Sequence, residues 1–234
     1  MMDDHRLIER RTACATILGV GGALLGANAL PAAEPTCPPE KPRAMNFNNR
    51  DFYDAAGRFK EQAAKEAYVA LMKGAGYPIS DHVLKNLWIA EFGLGRFAEV
   101  GLGGSFWVNS KEWNYASVEI FLLPGQMIPE HWHVAIPAER VVPKMESWIV
   151  RYGTGYAFGE GEPTARAEAR IPRSEAKHAT VRRETVLQVG QVAGLVRPEE
   201  KHFLVAGSEG VIVTEVTTFH TGAAVRFTNP AAKL

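Results

Sequence analysis

Two histidines and a glutamate carry the most specific chemistry in this chain. His131 and His133 flank Trp132, and Glu146 follows His133 by thirteen positions. Successive side chains of a strand alternate faces, so His131 and His133 point to one side, about 7 Å apart along the backbone. Imidazoles leaning from those positions meet on one ion, and a carboxylate beside them completes a donor set suited to a divalent cation. Trp132 then faces the other way, into packing. Gly125 stands six positions before His131, and Gly153 seven after Glu146. The intervening 134–145, with Pro137 and Pro143, must leave the strand as a loop and return Glu146 on an adjacent strand.

This frame resembles the first cupin motif: a glycine, His-x-His, a short spacer, a glutamate and a second glycine. The spacer here is twelve residues, where the usual pattern has three or four. A cupin-type site takes its fourth ligand from a later strand, for which His178, His202 and His220 are the downstream candidates. His178 lies in a charged stretch and His220 follows the last clear strand. His202 opens the apolar run Phe203-Leu204-Val205 after Pro198, and a histidine at a turn-to-strand boundary resembles the second cupin motif, although the motif's glycine is absent. The expected ligands are therefore His131, His133, Glu146 and His202, a set that leaves positions open on a divalent ion.

The elements that must position these side chains are mostly short strands. They are expected near 87–92, 105–109, 116–123, 130–134, 145–152, 155–159, 185–189, 202–206 and 211–218, with glycine-bearing turns between them. Many short strands in one chain point to a mainly β fold, a cupin-type double-sheet jelly-roll barrel. The polar stretch 161–180 reads as a surface loop. Before the strands, Ala64, Tyr68, Leu71 and Met72 share one face of a helix expected over 61–73, ended by Gly74 and Gly76. Ser80 is placed to cap a short turn over 81–86. The expected organisation is a signal peptide over 1–33, a linker over 34–49, a helical extension over 50–86 and the barrel over 87–234.

Arg10-Arg11, the weakly apolar run after it and the small residues around Ala27-Asn28-Ala29 read as a twin-arginine-type export signal, giving a periplasmic or extracellular protein. An uncleaved anchor and a buried helix are the competing readings of that run. Cleavage would leave Cys37 without an internal disulfide partner. The 26 basic and 26 acidic residues balance. No bulk charge argues for nucleic acid or for stable membrane association after cleavage.

Three further stretches carry a closer resemblance. Glu91-Phe92-Gly93-Leu94-Gly95 with Glu99-Val100-Gly101, the metal strands from Leu123 to His133 and Lys144 to Gly153, and His202-Phe203 through Glu215-Val216 resemble the D-lyxose isomerase family of cupins. The resemblance runs over about 52–230. It implies an aldose–ketose isomerase acting on a small sugar such as D-lyxose/D-xylulose or D-mannose/D-fructose through an enediol, and a homodimer. It also implies a divalent metal, typically manganese, although the donor set suits Co, Zn, Fe or Ni equally well. Such a reaction needs a base, and Glu215 is the candidate. It shares a strand face with Val211 and Val213, and alternation alone does not say whether that face is inside. Lys144 shares the face of Glu146, where it would polarise a substrate oxygen or pair with a carboxylate. Trp148, on the same face, reads as a sugar platform or as core. A non-catalytic metal-containing sugar-binding cupin and a cupin dioxygenase are the competing functions.

Overall fold

The computed structural model describes residues 46–234 apart from Arg166. The signal expected over 1–33 and all but the last residues of the linker expected over 34–49 lie outside the described residues.

Three helices come first: α1 (Asn49–Phe52), α2 (Glu61–Gly74) and α3 (Asp81–Asn86). The α2 stripe is buried as its spacing predicts, with Ala64, Tyr68, Leu71 and Met72 all in the core. Past its end Gly76 takes φ 62°, and the Tyr77 N–H donates to the Met72 carbonyl at 2.9 Å. A residue with a side chain resists that left-handed turn. The Ser80 hydroxyl accepts the Val83 N–H at 3.3 Å and caps α3.

The strands are β1 (Trp88–Ala90), β2 (Leu102–Ser110), β3 (Tyr115–Leu122), β4 (His131–His133), β5 (Glu146–Gly159), β6 (Arg183–Leu187), β7 (Val192–Gly194), β8 (Phe203–Thr217) and β9 (Val225–Phe227). Seven form one antiparallel sheet in the order β1-β2-β3-β8-β5-β6, with β7 also on β5; β4 and β9 form a separate ribbon. This is a cupin-type architecture. On the sheet's inner face Val118, Ile120, Trp148, Val150, Val211 and Val213 make one core cluster. On its outer face Phe121 and Ile212 meet Tyr68 and Leu71 of α2. The alternation of β3 and β8 thus serves two cores at once.

Two expected strand pairs are single strands. The regions 145–152 and 155–159 join in β5, and 202–206 and 211–218 join in β8. Their shared ladder runs on through Gly153↔Val211 and Gly155↔Ala206 with a register shift between them. Gly153 (φ 73°) bends the strand without ending it, and a Cβ there would run into the Gly210 carbonyl oxygen. The expected surface loop 161–180 is also partly core: Ala167, Ile171 and Ala179 are buried against Met127, Phe158 and Phe203. Three apolar residues spread through a charged stretch leave too sparse a pattern to read. Among the described residues no helix is long and apolar enough to cross a membrane.

Candidate metal centre and active-site cavity

The candidate ligand atoms of His131, His133, Glu146 and His202 all lie within 4.8 Å of one another. Backbone pairing explains the convergence. His131 and His202 face each other across an antiparallel rung, each N–H donating to the other's carbonyl at 3.0 Å. Each imidazole is then turned by the carbonyl two residues earlier: His131 Nδ1 lies 2.8 Å from the Pro129 oxygen, and His202 Nδ1 lies 2.8 Å from the Glu200 oxygen. With Nδ1–H donating there, each Nε2 lone pair is free, the usual orienting device of a ligating histidine. Glu199 takes φ 61°, the left-handed conformation at the turn where a glycine was expected and found missing.

Glu146 arrives from β5, which pairs with β8 and not with β4. The strand that carries Glu146 is therefore not the neighbour of β4 that the loop's length implies, because β9 takes that place. The stretch 134–145 forms a small closed loop, with Ile136 and Val141 paired and Arg140 at φ 57°, and crosses from the ribbon to the sheet opposite. His202 Nε2 lies 2.7 Å from Glu146 Oε1, and His133 Nε2 lies 3.5 Å from Glu146 Oε2. The buried Nε2 atoms of His133 and His202 complete no hydrogen bond. Buried polar atoms without partners are costly, and a cation would satisfy them.

The electrostatics suit the same occupant. Burial, then the neighbouring imidazoles, holds the His131 pKa well below the usual value; burial lowers that of His133. Burial works against charge on Glu146, yet Lys144, with His202 and His133, holds its carboxyl well below the usual range. For His202, burial pulls down and the Glu146 charge outweighs it, so its pKa is raised. Two neutral imidazoles, His131 and His133, and an ionised carboxylate that also draws His202 towards it make a donor set that fits a divalent metal.

The cluster sits in a cavity of ≈ 270 Å³. Ribbon residues such as Val225 and Phe227 and sheet residues such as Val118 and Leu204 line it together. Glu215 also faces inward, paired across the ladders with Val118 and Trp148, so its alternation points into the cavity and not to solvent. The buried Lys144 ammonium contacts both Glu146 and Glu215. Burial, then the Glu146 charge, pushes the Glu215 carboxyl up to about 7 against the pull of Lys144. For Lys144 burial acts downward, and the two carboxylates more than reverse it. Trp148 lines the cavity, its ring 5.5 Å from that of His202. Trp132 is only half-buried, with the Lys201 ammonium 5.3 Å from its ring centroid, so it is not the core residue its parity suggested.

Two contributors had no local signature in sequence. Glu130, next to His131, is a buried carboxylate accepting from the Thr180 hydroxyl (2.6 Å), the Val181 N–H (2.8 Å) and the Thr228 hydroxyl (2.5 Å). It fixes the start of β4 through partners about fifty and a hundred residues away. His220 stays out of the candidate ligand cluster but lines the cavity, its ring 6.2 Å from that of His133. Asn109 clamps the His220 backbone N–H and carbonyl, each at 2.9 Å. Burial, followed by the Lys144 charge, pushes its pKa down to about 3 and keeps it neutral. His178 lies outside the cavity.

No family model matches the chain. It is 33% identical over 173 residues to a D-lyxose/D-mannose isomerase of Thermosediminibacter oceani, covering 74% of this chain and 92% of that one. A D-lyxose ketol-isomerase of Cohnella laeviribosi is 31% identical over 167 residues, 71% of this chain and 89% of the relative. Among solved structures, the L-ribose isomerase of Cellulomonas parahominis superposes with a TM-score of 0.59 at 14% identity, over 78% of this chain and 95% of that one. The L-ribose isomerase of Geodermatophilus obscurus gives 0.54 at 15% identity, over 79% and 91%. These two share the fold.

Proposed function

The chain belongs to the D-lyxose isomerase family, and from that premise we propose that it interconverts a small aldose and its ketose, D-lyxose with D-xylulose or D-mannose with D-fructose, through an enediol. The observation that carries this reading is the joining of two sets of groups in one apolar cavity: the His131–His133–Glu146–His202 cluster and the Glu146–Lys144–Glu215 chain. The four cluster residues would hold a divalent cation, manganese in our reading. When bound, such a cation supplies a Lewis acid for the carbonyl and for negative charge developing on the substrate oxygens.

This chain's residues do the rest. Glu215, as carboxylate, takes the proton from C2, next to the C1 carbonyl, and returns it to C1, while the proton of the C2 hydroxyl passes to O1. The carbonyl double bond moves by one carbon and no atom is gained or lost. A base with a pKa near neutrality is suited to both halves of that transfer. Lys144 keeps the two carboxylates from repelling each other and holds Glu215 in place. Neutral His220 offers a hydrogen bond to a substrate hydroxyl, and the Trp148 ring gives the carbon face of the sugar a platform. The apolar wall excludes water from the transferring proton.

Purified protein is to be assayed against a panel of pentoses and hexoses with Mn, Co, Ni, Zn or Fe supplied. We expect turnover of D-lyxose or D-mannose, lost on chelation and restored by metal. No turnover of any sugar with any of these metals would overturn the isomerase reading. Export belongs to the same proposal and is supported by Arg10-Arg11 and the run that follows. Replacing both arginines with lysine is expected to hold the protein in the cytoplasm; unaltered export would exclude the twin-arginine route.

A further inference from the structure

Behind the catalytic wall, on the sheet's outer face where α2 ends, a second cavity of ≈ 490 Å³ opens. Tyr77, Trp107, Glu119, Arg151 and Thr214 line it, and it shares no lining residue with the cavity of the metal cluster. Glu119 on β3 and Thr214 on β8 are direct cross-strand partners. Only 4% of Glu119 is exposed. Its Oε1 accepts from the Trp107 indole N–H at 3.0 Å and from the Thr214 hydroxyl at 2.8 Å. The Thr214 oxygen in turn accepts from Arg151 Nε at 2.7 Å. Glu119 Oε2 is equally buried and completes no hydrogen bond, although the Tyr77 hydroxyl on the same wall feels the carboxylate, whose charge adds to burial in raising the Tyr77 pKa. Burying an oxygen without a partner is costly, which calls for an occupant.

The other groups say which kind. Arg151 is exposed, and its terminal nitrogens have no hydrogen-bond or ion-pair partner among the described residues. Trp107 has one face stacked on His82, at 5.1 Å and 8°, yet remains 43% exposed. One carboxylate and one guanidinium in a single cavity favour a ligand without net charge. A vicinal diol donates one O–H to Glu119 Oε2 and accepts from the guanidinium with its neighbour, while its C–H face lies on the indole. We propose that this cavity is a second binding site, for a neutral polyhydroxylated molecule of the sugar or polyol class. Thr214 and Glu215 are neighbours on β8, so the occupant rests on the reverse of the strand that carries the proposed base.

Calorimetric titration of the metal-loaded protein with xylitol, which has no carbonyl to isomerise, tests the site. Wild type is expected to bind one molar equivalent more than Arg151→Met, a substitution at an exposed position. Glu119→Gln is expected to weaken the same site at least tenfold, with metal content unchanged. Equal stoichiometry and affinity in wild type and Arg151→Met would overturn the proposal, whatever the folding of Glu119→Gln. Glycine occupying the site where xylitol does not would overturn it in favour of a zwitterion.

Discussion

Glu215 at about 7 beside a buried ammonium gives the proposed chemistry its sharpest test. Glu215→Gln keeps the shape and removes the base. General-base catalysis is worth about 10²–10⁴-fold, and kcat is expected to fall by that much with KM and metal content little changed. Solvent-deuterium exchange into the sugar C2 position should disappear with it; unchanged exchange would remove Glu215 from the chemistry. The pH profile follows from the ionised form being the active one. Activity must rise with pH through the Glu215 pKa, and a bound cation adds positive charge that lowers it. The rising limb of kcat/KM is therefore expected at about 7 or below; a limb clearly above that value, or none, would contradict the assignment. Lys144→Met removes the charge between two buried carboxylates. Breaking a buried pair costs about 3–5 kcal/mol, which denaturant unfolding would register. The rising limb should also move to higher pH, because Glu215 then faces Glu146 without its counter-charge.

At the scale of elements, what was legible depended on distance along the chain. The His-x-His pair and the α2 stripe are local patterns: His131 and His133 share β4, and the stripe on α2 is buried. Glu215 was half-legible: its face-mates Val211 and Val213 were evident, but only the pairing with Val118 and Trp148 turns that face inward. Strands β7 and β9, at three residues each, are too short to show a period, and without β9 the partner of β4 could not be read. Gly153 looked like a strand terminus because glycines usually punctuate, whereas here it is a bend pressed against another backbone. Gly153→Ala is accordingly expected to destabilise by at least about 2 kcal/mol, since the residue needs a positive φ and would also strike the Gly210 carbonyl. A denaturation midpoint equal to wild type would contradict this account of the bend.

Over the whole molecule, the four candidate ligands come from both the ribbon and the large sheet, so ion binding would be linked to folding. A ligand that binds only the native state at a hundredfold excess over Kd adds about 2.7 kcal/mol. For a domain of this size that corresponds to a rise in Tm of about 5–10 °C, readable by calorimetry with and without chelator. An unchanged Tm would mean that the four side chains hold no ion.

The ribbon of β4 and β9 is only three residues wide on each side, and the rung from His131 to His202 ties it to the long strand β8. An ion seated between those two imidazoles would act as a rivet through that seam. Chelation should therefore loosen the molecule unevenly: amides around 131–136 and 225–227 would trade their protons with solvent sooner, while the β5–β8 spine keeps its own.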